Sequence, residues 1–376
     1  MKNFSRDLSL YIHIPFCVSK CAYCDFLSFA DHGCMAKYFD ALAGEIRLKG
    51  KQTSKTVNHF YVGGGTPSIA YEYFPMLKNA LEESFTLASD ATISMECNPE
   101  SVTEDFIRAA KEFGVNRVSL GVQTLSDRLL KKIGRAHDKK QALAALDLLT
   151  KNFSSVNADV MVGLPGQNKR DVTETLDILT SYPINHLSCY SLILEEGTPL
   201  FAAAERGEFA PDDDFAVDLY DLAREKLKKA GFRRYEISNF CKADAVCGYN
   251  YSVWQYGEYL GVGLGASSFL KRKEGGVRSK NTDDMPLYLA SCGAEGVAVE
   301  EISEAEAMKE FIMLGLRLEE GLNKEDFHDF FGVDFMGLYG EKVKKLGKML
   351  VVSTEKVAIA PEYFYVSNTI IEEIIY

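Results

Sequence analysis

Six short β-rich runs, each followed by an amphipathic helical stretch, fill the first two thirds of this chain and leave few folds open to it. The runs fall at 8–14, 58–62, 91–96, 117–122, 157–162 and 186–192. The helical stretches fall at 34–48, 70–85, 103–113, 139–151, 170–181 and 213–230. Such repetition implies right-handed βαβ units and a parallel sheet. Six units are too few for the closed eight-stranded barrel, so the expected class is α/β, an open, partial (β/α)6 barrel. Ligands in such folds sit at the carboxyl ends of the strands, and the unusual residues cluster there. Three cysteines follow the first run, and Gly63-Gly64-Gly65-Thr66-Pro67 follows the second. Glu96-Cys97-Asn98-Pro99 ends the third, Gly121-Val122-Gln123 ends the fourth, and Asp159 lies in the fifth.

Beyond about residue 230 the rhythm changes. Residues 232–239 read as one more strand, 248–269 as loop with short strands, and 271–280 as an exposed polar loop. Ser303 and Glu306 have capping-box spacing and open a helix with Met308, Phe311, Ile312 and Gly315 on one face. Helices near 323–331 and 335–345 and a β-like run at 349–359 follow. The expected division is a barrel over 1–240, a linking β/loop region over 241–300, and a smaller C-terminal α+β, winged-helix-like domain over 301–376.

The net charge of −12 over 376 residues argues against nonspecific nucleic-acid binding, which needs clustered Lys and Arg. No run of about 18 apolar residues suggests a membrane span, and the first residues lack the apolar core of a signal peptide. Nine cysteines, an odd number without a disulfide framework, fit a reducing cytoplasm.

Cys17, Cys21 and Cys24 are spaced C-x3-C-x2-C. Three thiolates hold three corners of a [4Fe–4S] cube and leave one iron open to a small chelating molecule. A structural zinc site would want a fourth Cys or His at a matching second pair. Cys241 and Cys247, six apart, do not supply one, although zinc and ordinary buried thiols remain the alternatives. The glycine run offers main chain that a ligand can approach closely; its other reading is a strand-to-helix turn. Glu96 at a strand end needs partners such as ribose hydroxyls or an ammonium, or else an ion pair at the rim. Arg135 can pair with a carboxylate through its planar fork, or end a helix in solvent. Asp159 interrupts an apolar run, facing the barrel interior as a ligand contact or a structural hydrogen-bonder. Tyr11 faces with His13 and is expected against the cluster; His13 reads as a structural hydrogen-bonder. His32, His59, His137, His186 and His328 read as surface residues.

Together the segments YIHIPFCVSKCAYCDF, YVGGGTPS, SMECNPES, RVSLGVQTL, NADVMVGLPGQ and YEISNF resemble the oxygen-independent coproporphyrinogen III dehydrogenase family of radical S-adenosylmethionine (SAM) proteins. The resemblance implies Cys17, Cys21 and Cys24 as cluster ligands. It implies Tyr11, Tyr23, Gly64, Gly65, Thr66, Glu96, Gln123, Arg135 and Asp159 as SAM-site residues. The decarboxylating branch resembles C-x3-C-x2-C-x-C, but here Phe26 stands at the fourth cysteine, which favours the haem-chaperone branch of HemW type. That branch shows His-Asn-x-x-Tyr-Trp where this chain has Tyr249-Asn250-Tyr251-Ser252-Val253-Trp254. Tyrosinate can ligate haem iron, so Tyr249 is a candidate ligand, with Cys247 a second and packing aromatics the alternative. The implied cofactors are a [4Fe–4S] cluster and SAM, with haem as a further ligand. The implied partners are haem or another tetrapyrrole, a haem-accepting apo-protein, and an electron donor such as flavodoxin or ferredoxin. Three other roles stay open: oxidative decarboxylation of coproporphyrinogen III, radical chemistry on another tetrapyrrole, and a cluster that only structures a partner-binding surface.

Overall fold

The computed structural model describes residues 7–376. Its strands in chain order are β1 Asp7–Ile14, β2 Thr56–Gly64, β3 Thr86–Cys97, β4 Arg117–Gln123, β5 Ser155–Val162 and β6 His186–Ser191. They continue with β7 Arg233–Arg234, β8 Asn239–Cys241, β9 Tyr259–Val262, β10 Ser267–Arg272, β11 Gly275–Lys280 and β12 Ala298–Ile302. The last three are β13 Leu322–Asn323, β14 Leu350–Val352 and β15 Lys356–Ile359. Strands β1 to β12 form one open sheet in the order β12-β11-β10-β9-β1-β2-β3-β4-β5-β6-β8-β7. Strands β1 to β6 lie side by side in sequence order and all run parallel. The expected (β/α)6 arrangement is therefore present and open.

Alternation along the strands decides which side chains face the sheet's concave interior. In β4, Val118, Leu120 and Val122 join the main apolar core, while Arg117, Ser119, Gly121 and Gln123 line an interior cavity. In β5, Ala158, Val160 and Val162 face that core, and Asn157, Asp159 and Met161 face the cavity. The crossover helices Met35–Gly50, Phe74–Ser84, Glu104–Phe113, Lys139–Asn152, Lys169–Ser181 and Asp213–Lys229 bury their apolar faces on the sheet's other side. Side-chain caps start several of them. Asp138 and Asn168 each form a reciprocal capping box with the third helical residue.

Four sequence expectations change here. Residues 232–239 are not one strand. They split into β7 and β8, paired antiparallel, and Glu236 between them is buried. The stretch 248–269 opens with a helix, Gly248–Trp254; its aromatic and β-branched residues are weak helix formers, which hid it. The stretch 271–280 is no exposed loop. It belongs mostly to the β10–β11 hairpin, turned near Gly275 at φ +108°; its lysines and glycines masked the pairing. Two histidines read as surface residues, His137 and His186, are buried.

The C-terminal helices Glu304–Gly315, Lys324–Phe331, Phe335–Leu346 and Ser367–Ile375 surround a small sheet of order β13-β15-β14. The Ser303–Glu306 capping box is present. These elements build a second apolar core around Phe311, Ile312, Phe327 and Phe335. Tyr256 and Phe269 belong to that second core, whereas Leu260 and Val262 belong to the first, so the β9–β10 region packs into both. Among the described residues no helix is long and apolar enough to cross a membrane.

Candidate functional site

A cavity of about 500 Å³ opens at the carboxyl ends of β1 to β6, within the size range of small-molecule and cofactor sites. Its rim is the loop after β1. The ends of that loop are tied together: the Cys17 N–H donates to Phe29 O (2.9 Å), and the Phe29 N–H donates to Pro15 O (2.7 Å). Cys17, Cys21 and Cys24 all line the cavity and are partly buried. Burial pushes the thiols of Cys17 and Cys24 up from their ordinary range. A metal centre takes cysteine as thiolate, so binding one here would draw off any protons the thiols hold. Among the described residues, no three His, Cys, Asp or Glu side chains are grouped to hold a single metal ion.

The glycine run lies directly under this loop. The Gly65 N–H donates to Ile14 O (2.8 Å), and the Thr66 N–H donates to Phe16 O (2.7 Å). A Cβ on Gly65 would stand 2.5 Å from Phe16 O, and Gly64 has φ +115°, so both positions require glycine. Glu96 accepts from the Tyr61 hydroxyl (2.8 Å) and from the Gly64 N–H (3.2 Å). Burial raises its pKa to about 7, against those two hydrogen bonds. Asp159 accepts from Asn157 Nδ2 (2.7 Å) and from the Ser119 hydroxyl (3.3 Å); burial raises its pKa too. Gln123 is held at φ +63° at the tip of β4, where its Oε1 accepts from the Tyr190 hydroxyl (2.9 Å).

Arg135 reaches in from the turn after the helix Asp127–Lys132. Its Nη2 donates to Asn98 Oδ1 (2.7 Å) and Gly121 O (2.6 Å), and its Nη1 lies 3.5 Å from Cys21 Sγ. It is no solvated helix-terminal residue. Burial works against its charge, yet Tyr23, Cys21 and Glu100 hold its pKa above the ordinary arginine value.

Ten of the twelve residues singled out from the sequence thus line one cavity: the three cysteines, Tyr23, Gly64, Gly65, Glu96, Gln123, Arg135 and Asp159. Thr66 lies buried just behind it. Tyr11 is turned aside: its hydroxyl meets His13 Nδ1 at 3.0 Å, and its ring packs against Tyr61 and Tyr249. Sequence reasoning passed over Tyr61, Arg117, Asn157 and Tyr190, which also line the cavity. For Arg117 the signal was available, since it shares the Ser119–Gly121–Gln123 face of β4. His186 was misread for the same reason. It is wedged in the interior between Asn157 Oδ1 (2.6 Å) and the Tyr235 hydroxyl (2.9 Å).

Of the two candidate haem ligands, Cys247 sits inside the fold and Tyr249 is half-buried. Tyr249 packs between Tyr11 and Tyr61, with ring centroids 6.1 and 5.3 Å away, and burial keeps its phenol protonated well above the ordinary range. Cys247 is fully buried, and its N–H donates to the Tyr235 hydroxyl (3.2 Å).

Comparison with known proteins agrees with this geometry. The radical SAM superfamily pattern matches residues 11–179, and the HemN C-terminal domain pattern matches 302–356. "Heme chaperone HemW" of Mycobacterium tuberculosis is 35% identical over 328 residues, covering 84% of this chain and 83% of that protein. The protein of the same name from Lactococcus lactis is 32% identical over 97% of this chain and 96% of its own length. The chain is a radical SAM protein of the HemW family. Its fold matches the structure of coproporphyrinogen III oxidase (HemN) from Escherichia coli with a TM-score of 0.83 at 21% identity, over 99% of this chain and 90% of that one. Membership of the radical SAM superfamily implies a [4Fe–4S] cluster and SAM. The donor set fits: three thiols on one rim, glycine backbone beneath them, and a polar cavity alongside.

Proposed function

We propose that this protein carries a [4Fe–4S] cluster on Cys17, Cys21 and Cys24, binds SAM beside it, and serves as a haem chaperone that passes haem to an apo-protein. The observation that carries the reading is the convergence of the three thiols, the Gly64–Gly65 backbone, Glu96 and Arg135 on one cavity, in a chain aligned along most of its length with HemW-named relatives. When bound, the cluster supplies one-electron reduction of the sulfonium cofactor, with an external donor such as flavodoxin or ferredoxin. The chain's own residues bind and orient. Gly64 and Gly65 leave room for the methionine end, Glu96 offers a carboxylate to a hydroxyl or ammonium, and Gln123 and Asp159 line the wall deeper in. Arg135, already engaged with Asn98, Gly121 and Cys21, supports the cluster loop from below.

In this reading haem covers the cavity mouth. Phe26 and Ile193 line that mouth and are 64% and 69% exposed, so a flat apolar macrocycle gains by covering them. The test is anaerobic reconstitution, then titration with haemin and transfer to an apo-cytochrome. A Soret shift that is weakened by Phe26→Ser supports the reading, whereas no shift removes the haem assignment. A parallel assay with coproporphyrinogen III, SAM and reductant distinguishes the enzymatic alternative. Release of CO2 with formation of protoporphyrinogen would replace the chaperone role by decarboxylation. The reducing chemistry fits a cytoplasmic setting.

A further inference from the structure

The helix Asp127–Lys132 and the turn after it back onto the thiol loop. The Ala22 N–H donates to Ile133 O (2.9 Å), one residue from Cys21. At Gly134 a Cβ would stand 3.2 Å from the Ala22 nitrogen, so the two backbones meet with no side chain between them. Leu129 and Ile133 turn inward and join Met161 and Leu164 in a small apolar core, against which Tyr23 of the thiol loop packs. The outward face carries Arg128, Lys131 and Lys132, all exposed. No residue from 127 to 134 lines the cavity. This face is basic in an acidic protein. The chain has a net charge of −12, yet residues 127–140 hold six Lys or Arg against two Asp. Both aspartates are engaged by backbone donors: Asp127 accepts from the Lys139 N–H (2.7 Å), and Asp138 from the Gln141 N–H (2.8 Å). Arg128 pairs with Asp171 (2.9 Å). Among the described residues, Lys131 and Lys132 make no ion pair. The cavity has the opposite character at its opening, where exposed Asp25 and Glu195 stand with Phe26 and Ile193.

We propose that the outward face of Asp127–Lys132, centred on Lys131 and Lys132, docks an acidic one-electron donor protein. The inference rests on the cluster assignment made above and adds the surface through which electrons arrive. SAM and haem take the cavity and its mouth in that reading, so a donor protein needs a second approach. The basic face gives one that lies a single hydrogen bond from the thiol loop. The donor loses one electron and the cluster gains it; no bond forms or breaks. Opposite charges speed the encounter and fix its orientation. Transient redox complexes bury little surface, so a short helix is large enough. The acidic balance of the rest of the chain repels the same donor, which confines it to this face. Contact with the thiol loop, rather than with an apolar patch, favours a redox protein over a lipid surface.

The test uses the reconstituted full chain with an acidic flavodoxin as the probe. It compares wild type, the double variant Lys131→Glu with Lys132→Glu, and the double variant Lys131→Gln with Lys132→Gln. Flavodoxin binding is read by surface plasmon resonance, and cluster reduction by stopped-flow absorbance. At low salt the charge-reversed protein should lose about ten- to hundredfold in association rate, with the glutamine variant in between. The three should converge at about 1 M salt, where the Debye length is about 3 Å. Photoreduced deazariboflavin, a small uncharged reductant, should reduce all three at one rate, with equal iron and sulfide content. Association rates that coincide at low salt overturn the proposal, as does a loaded wild type that deazariboflavin reduces but flavodoxin neither binds nor reduces. Loss of binding to phosphatidylglycerol vesicles in the charge-reversed protein, with flavodoxin rates unchanged, overturns it in favour of a lipid surface. If the charge-reversed protein takes up no cluster, the glutamine variant decides alone: a rate equal to wild type overturns the proposal. A wild type that takes up no cluster defeats the functional reading first, and the docking face with it.

Discussion

Glu96 gives the sharpest quantitative handle on the site. Burial lifts its pKa from 4.5 to about 7, although the Tyr61 hydroxyl and the Gly64 N–H both favour the carboxylate. That displacement corresponds to about 3 kcal/mol at 1.36 kcal/mol per pH unit. Between the two values the folded chain holds a proton that the unfolded chain has lost. Stability therefore falls as pH rises from about 4.5 to about 7, and the full cost is present above that window. Glu96→Gln keeps one acceptor oxygen for Tyr61 or Gly64 and removes the titration. Urea unfolding of the metal-free, reduced protein at pH 5 and pH 8 measures the effect. Relative to wild type, the variant should gain about 2.5 kcal/mol between those pH values by proton linkage. Taking the difference cancels the other raised carboxyls, Glu236 and Asp159. The same group controls SAM binding if its carboxylate receives a hydroxyl or ammonium. Ionised for about a tenth of the time at pH 6 and about nine tenths at pH 8, it should give a roughly tenfold gain in affinity, absent in Glu96→Gln. Parallel pH–stability curves for the two proteins would refute the argument for a buried proton at this position.

Gly65→Ala drives a methyl group into the Phe16 backbone at 2.5 Å and should cost about 1–3 kcal/mol, with the loss concentrated in iron content after reconstitution, read by colorimetric iron and sulfide assay. Tyr249→Phe should leave haemin titrations unchanged, because its ring packs against Tyr11 and Tyr61 and it is absent from the residues lining the cavity; a lost Soret shift would return it to the haem site. Ser303→Ala removes the side-chain acceptor for the Glu306 N–H and should lower stability by about 1 kcal/mol, seen in the urea midpoint without any change in cluster content.

The barrel was legible because its strands alternate. Val118, Leu120 and Val122 announce one face of β4, and the residues between them announce the other. The triad and the glycine run were legible because few other roles require those residues at those spacings. The region after residue 230 was harder, because its elements are fixed by distant partners. Nothing local in Gly248–Trp254 favours a helix, yet the site excludes any side chain at Gly248, where a Cβ would lie 2.5 Å from His59 Nδ1. The β10–β11 hairpin carries lysines and glycines because one of its neighbours is the outermost strand β12. His186 and Arg117 were misjudged or missed for a shared reason. Polar residues look like surface in a sequence, but this barrel has a polar interior that satisfies them.

The placement of β1 has one further consequence. It is flanked by β2 on one side and by β9 on the other, with Ser9 opposite Tyr259. The strand that leads into the thiol loop is thus synthesised about 250 residues before the strand that becomes its second neighbour. Until then one of its edges is an open template for mispairing, and the contact that closes it is among the most distant in the chain. A nascent chain stalled before Val262 should therefore hold the loop of Cys17, Cys21 and Cys24 beside a strand with one neighbour missing.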